Sequence, residues 1–149
     1  MASRRREIAN LVVDNLKLIN GQVSTFDPSY TYLNNIFSNA FRKLKFIDEI
    51  NDFPSIYSQA GVEDRTYHSD QLTEAELEMI IRCYVRTENA QNALENLIQD
   101  VEHVVYNIPN DTSLGIQDII IDSISTDEGL IEPYGIAEIN ILATYVLDD

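Results

Sequence analysis

By residue type and spacing, Asp100, Glu102 and His103 are best placed to do chemistry. Asp100 and His103 stand three apart in a stretch of helical periodicity, so they share one helix face. A carboxylate and an imidazole in that arrangement make either a weak metal site or, more commonly, an acid–histidine pair at the surface. Asp118 and Asp122 form a second pair, spaced as on one strand face with Ile116, Ile120 and Ile124. Two carboxylates can divide the work of general acid and base. Four residues of extended chain put them about 13 Å apart, too far to share a proton. They read instead as a solvated acidic stripe, or as one facing a lumen.

Nothing else in the chain supplies a reactive group with its context. His68 and His103 are the two histidines, and Cys83 is the one cysteine. That inventory excludes the common zinc patterns and a disulfide framework within the chain. A single cysteine fits a reducing compartment, and on the apolar face of a strand Cys83 reads as a small buried side chain. Five glycines leave little room for a phosphate-binding loop. Ser113 and Ser123 lack the setting of a nucleophile elbow. The expectation is a protein without catalytic residues, metal or cofactor, whose product is a contact with other protein copies.

The charge is unevenly placed. The net value is −15. Residues 1–50 carry seven Lys/Arg against five Asp/Glu, and residues 51–149 carry three against twenty. An acidic body repels the phosphate backbone and argues against a nucleic-acid binder. It serves solubility, and it also suits a surface past which DNA must move without sticking. Two basic clusters stand out against it: Arg4, Arg5 and Arg6 near the start, and Arg42, Lys43 and Lys45 beside Phe41 and Phe46. Each reads as a solvated face or as a contact for an acidic partner.

The elements that must position these residues follow from periodicity. Residues 4–20 predict an amphipathic helix, with Ile8, Leu11, Val12, Leu16 and Ile19 on one face, Ser3 as its cap and Gly21 as its stop. Residues 22–50 resist assignment: Asp27-Pro28-Ser29 signals a turn, Tyr30 and Tyr32 suit a strand, and 36–47 fits a short helix or a strand pair. Phe53 to Ser58 predicts a strand ended by Ala60-Gly61, with 63–69 as a short extended return and 70–75 as a loop. The alternation from Leu77 to Val85 is that of a half-buried strand. Thr87 to Asn107 is the clearest helix, carrying Leu94, Leu97, Ile98, Val101, Val104, Val105 and Ile108 at spacings of three and four. Thr87 can cap its start, and Pro109 closes it. Residues 116–125 and 136–147 predict two more strands, joined through Thr126-Asp127-Glu128-Gly129 and Glu132-Pro133-Tyr134-Gly135.

Strands segregated from helices in this order predict one α+β domain over residues 1–149. Its sheet would be mostly antiparallel, of four to five strands, with helices packed on one face. No apolar run is long enough to span a membrane, and no signal-peptide pattern opens the chain.

From Phe53 to Tyr145 the chain resembles the phage tail terminator (tail completion) family. The features that carry the likeness are Phe53-Pro54-Ser55-Ile56-Tyr57, the alternating strand from Glu78 to Arg86, the long helix after it, and the closing hairpin. In that hairpin Ile120 to Ser125 leads through Thr126-Asp127-Glu128-Gly129, Pro133 and Gly135 to the strand ending at Tyr145. Residues 22–50 match only as a variable insertion. The resemblance implies a structural virion protein, made in the host bacterial cytoplasm and assembled as a hexameric ring. The ring would cap the tail tube, offer its other face to head-completion or neck proteins, and let genomic DNA pass through its lumen.

Ring closure needs two different complementary surfaces on each copy. The expected joint combines a sheet edge with the basic first half of one copy against the acidic half of the next. Its candidate residues are Arg4, Arg5, Arg6, Arg42, Lys43, Lys45, Asp127 and Glu128. Asp118 and Asp122 are the candidates for an acidic lumen wall. The same features fit a head–tail connector or adaptor of the neck. They also fit, in a different class, a small acidic immunity or inhibitor protein that binds a basic toxin.

Overall fold

The computed structural model describes residues 3–68, 72–111 and 115–148. Helix α1 spans Arg4–Leu16, strand β1 Ala40–Phe41, β2 Ser55–Tyr67, β3 Leu72–Arg86, helix α2 Ala90–Asn107, β4 Ile116–Thr126 and β5 Tyr134–Asp148. The strands form one sheet in the order β1-β2-β3-β5-β4. Every pairing is antiparallel except that of the two-residue β1 with β2. This is the α+β arrangement that the element order predicts.

The strand alternation decides what the sheet covers. On β3, Thr73, Ala75, Leu77, Met79, Ile81 and Cys83 turn inward and are buried, while Glu74, Glu76 and Glu78 turn outward and are exposed. On β5, Ala137, Ile139, Ile141, Ala143 and Tyr145 continue the buried face. Both helices lie on this face. Ile8, Val12 and Leu16 of α1 and Leu94, Leu97, Val101, Val104 and Val105 of α2 join the strand residues in one core. Burial of a Leu, Ile or Val side chain contributes about 1.5–3 kcal/mol, so this layer holds most of the stabilising area. A smaller cluster on the opposite face covers only one end of the sheet. There Ile50, Tyr57 and Tyr84 pack with Ile47, Phe53 and Ile136.

Several boundaries differ from the sequence reading, each for a physical reason. Ser3 does cap α1, its Oγ accepting from the Arg6 N–H at 3.2 Å. The helix stops at Leu16, because Leu18 and Ile19 bond back only three residues, to Asn15 and Leu16. Gly21, with φ of +76°, serves a later bend and not the helix end. Gly61 does not end its strand. It stands in a bulge between Ala60 and Glu63, and β2 runs on to Tyr67, so 63–67 is no separate return. A residue without Cβ admits that kink at little cost. Leu72 to Ala75 already belongs to β3, while residues 70 and 71 of the expected loop lie outside the described residues.

Thr87 is not the cap of α2. The cap position is Asn89, and the Thr87 N–H instead donates to the Pro133 carbonyl at 2.8 Å. Tyr30 and Tyr32 lie in no strand; around them the chain makes only the isolated bridges Val23↔Thr31 and Asn20↔Asn35 among the described residues. Residues 36–47 contribute the short β1 and the start of a 3-10 turn, Ile47–Glu49.

Candidate assembly surfaces

Asp100 is neither a surface residue nor one arm of a metal site. It is wholly buried. Its Oδ1 accepts from the Tyr30 hydroxyl at 2.7 Å and the Leu33 N–H at 3.0 Å. Its Oδ2 accepts from the Asn34 N–H at 2.9 Å and Asn34 Nδ2 at 3.2 Å. One carboxylate thereby pins the chain around residues 30–34 to α2. His103, one turn on, stacks against Tyr30 at 4.0 Å with 9° between the rings, and its Nε2 lies 2.6 Å from Ser24 Oγ. Burial lowers the His103 pKa, against the pull of Asp27 and Asp100. The spacing therefore marked a real pair, but its work is structural. No local pattern points to the partners, which lie some seventy residues upstream.

The remaining candidates for chemistry are dispersed. Cys83 is buried, and burial pushes its thiol up to about 12, which keeps it unreactive. His68 is exposed, its N–H donating to the Leu72 carbonyl. Ser123 is exposed and bonds Asn140 Nδ2 at 2.9 Å. Ser113 lies outside the described residues. Among the described residues no three acidic, histidine or cysteine side chains gather as metal ligands, and no helix is long and apolar enough to cross a membrane.

Asp118 and Asp122 are both exposed. They do not share a simple alternating face with Ile116, Ile120 and Ile124. Register shifts after Ile116 and after Ile121 place Ile116 opposite Tyr145 and Ile124 opposite Ile139, on the core side. Asp118 pairs with Thr144 and Ile120 with Leu142, on the open side. Asp122 falls in the second shift and borders a hollow with Glu78, Ile80 and Asn140.

The open face is more acidic than those two residues indicate. Register carries Asp64, Glu76, Thr144 and Asp118 in one row across four strands. Glu74 and Glu78 flank Glu76 on β3. Adjacent strands are about 4.8 Å apart, so Asp64 and Glu76 are like charges directly opposite, which costs stability. The glutamates were visible in the sequence as the outward half of an alternation, but the row they form with Asp64 and Asp118 needs the register.

The basic candidates separate into three places. Arg5, Arg6 and Arg42 meet around one hollow with Ser3, Gln59 and Ala60. Arg4 turns away from them and donates to the Val146 carbonyl at 3.4 Å. Lys43 lies over the Phe41 ring and Lys45 over the Tyr57 ring, at 5.8 and 5.9 Å. Asp127 braces its own turn, accepting from the Ile136 N–H at 3.1 Å and the Ile131 N–H at 3.4 Å. Glu128, at φ of +58°, is exposed on that turn.

Among the described residues the sheet leaves two free edges: β4 pairs on one side only, with β5, and β2 has no outer strand neighbour beyond Tyr57. Unpaired edge strands are ready templates for another chain. Two unlike edges and one strongly charged sheet face are the surfaces that the described residues offer to other chains. A family model described as Bacteriophage Tail Tube Terminator Protein matches residues 2–149. The chain is also 33% identical over 153 residues to tail tube terminator protein p142 of Escherichia phage T5, spanning 95% of this chain and 92% of that relative. The chain belongs to the bacteriophage tail tube terminator family. Among solved structures, a chain from the virion of a native gene transfer agent particle superposes with a TM-score of 0.47. It has 10% identity over 73% of this chain and 79% of that one.

Proposed function

We propose that this chain is a structural virion subunit that closes a ring, expected to be hexameric, on the finished end of a phage tail tube. The family match over residues 2–149 carries the reading. The two unlike sheet edges support it, since head-to-tail copies close a ring only through two different surfaces. The acidic open face supports a further part: turned toward the lumen, it would let genomic DNA pass without adhering. One side of the ring meets tube protein and the other a head-completion or neck protein.

Negative-stain electron microscopy of the purified chain is the test. A ring about as wide as a tail tube is the expected image, together with co-sedimentation with tube protein. Binding to portal protein in place of tube protein would reassign the chain as a neck adaptor. A protein that stays monomeric at high concentration and low salt would overturn the ring.

A further inference from the structure

We infer that the hollow formed by Arg5, Arg6 and Arg42 is the receiving site for the Glu128–Glu132 turn of a second copy of this chain. The inference rests on the ring reading and names the contact that closes it.

The hollow, of about 200 Å³, is built by distant segments: the first turn of α1, the end of β1, and β2 just before its bulge. Arg42 is fixed in place, Nη1 donating to Asn10 Oδ1 at 2.9 Å and Nη2 to Gln59 Oε1 at 3.1 Å. Arg5 donates to the Gly61 carbonyl. None of these acceptors is charged. No carboxylate lies within ion-pair distance of Arg5, Arg6 or Arg42 among the described residues, in a chain with 25 Asp and Glu. The buried Arg42 Nε has no hydrogen-bond partner among the described residues. Three guanidinium groups are thus gathered with donors to spare, and guanidinium donors fit carboxylates.

The turn between β4 and β5 is the complement. Glu128 and Glu132 are exposed, and no side-chain bond holds either among the described residues. Between them stands Leu130, 85% exposed. A large apolar side chain so fully presented, with a carboxylate on each side, is suited to a partner that is basic with an apolar rim. At the arginine hollow, Ala60 supplies an apolar contact of that kind. The turn is rigid beforehand: Asp127 braces it from both carboxylate oxygens, and Leu130 N–H bonds the Asp127 carbonyl at 3.2 Å. Binding therefore costs little ordering entropy. The sheet order puts the hollow beside β2 and the turn beside β4, at opposite edges, as head-to-tail closure requires.

Two paired variants test this, Arg6→Glu with Arg42→Glu, and Glu128→Lys with Glu132→Lys. The mass of each is measured at high concentration and low salt, beside the wild type. Each pair alone is expected to weaken ring formation at least tenfold. Mixed in equal amounts they are expected to form a ring of alternating copies, and all four changes in one chain are expected to restore it. The turn variant alters only exposed side chains, so an unchanged melting temperature separates lost contact from lost fold. Rings from either variant as stable as wild type, or no recovery on mixing, would overturn the inference and leave the ring reading standing. A variant that still rings but loses tube protein would assign the hollow to the tube instead, and also overturn it. A wild type that never forms a ring overturns the ring reading and takes this inference with it.

Discussion

His103 shows how much a side chain's role depends on what surrounds it. Its ring is packed by the face of Tyr30, by the edges of Phe26 and Tyr32, and by the Ser24 hydroxyl. Burial disfavours the imidazolium and lowers the pKa, while Asp27 and Asp100 act in the opposite sense and lose. A histidine whose pKa is depressed on folding adds stability above its unfolded value, and that contribution is lost as pH falls toward the folded value. Wild type is therefore expected to lose stability as pH drops below the ordinary 6.5, because the unfolded chain takes up the proton first. In His103→Gln that part of the pH dependence should vanish, although the variant is less stable at neutral pH. Melting temperatures from pH 7.5 to 5 check it, and parallel curves for the two proteins would refute it. Spacing alone singled out Asp100 and His103, but it could not say whether they faced solvent, a metal or other residues of the chain. That answer lies with Ser24, Tyr30 and Asn34, which are remote in sequence.

At the level of elements, legibility follows periodicity. β3, α2 and β5 each carry a long apolar repeat, and each is found where its repeat predicts it. The far half of β2 reads as a separate extended return because Gly61 reads as a terminator, whereas bulged pairing carries the strand past it. Residues 22–50 were unreadable for a different reason. They hold little regular structure, and their shape is set by contacts with α2 and β2, which no local pattern encodes. The Asp100 carboxylate is the main polar tie among those contacts. Removing it in Asp100→Ala would strand the Leu33 and Asn34 N–H groups near a buried site, at about 1–3 kcal/mol for each donor left without a partner. An overall loss of about 3 kcal/mol is expected in chemical denaturation, with faster amide exchange at Leu33 and Asn34. A loss under about 1 kcal/mol would mean that the segment is held by its apolar residues Tyr32, Ile36 and Ala40 alone.

For the whole molecule, the open sheet face poses an energetic question. Placing Asp64 opposite Glu76 across strands, with Glu74 and Glu78 alongside, costs stability that a mixed surface would avoid. Solubility does not require this arrangement, because a net charge of −15 would keep the protein dispersed however the acids were scattered. Concentrating them on one flat face has a use if that face lines a channel for DNA, where any phosphate contact would retard passage. Reversing the face by Glu74→Lys, Glu76→Lys and Glu78→Lys should leave the fold intact, since all three side chains are exposed and one like-charge opposition is relieved. The variant is expected to gain duplex DNA binding that weakens steeply between 50 and 200 mM salt, by about one logarithmic unit of affinity per unit of log salt for each phosphate engaged. Wild type should show none under the same conditions. In assembled particles the variant should still cap tails of normal length yet deliver DNA poorly, which separates the channel from the capping contacts. Fluorescence anisotropy with a labelled duplex, and infectivity set against tail length, are the two measurements. Wild-type protein that bound the duplex at low salt, or variant particles as infective as wild type, would show that this acidic face does not line the path of the DNA.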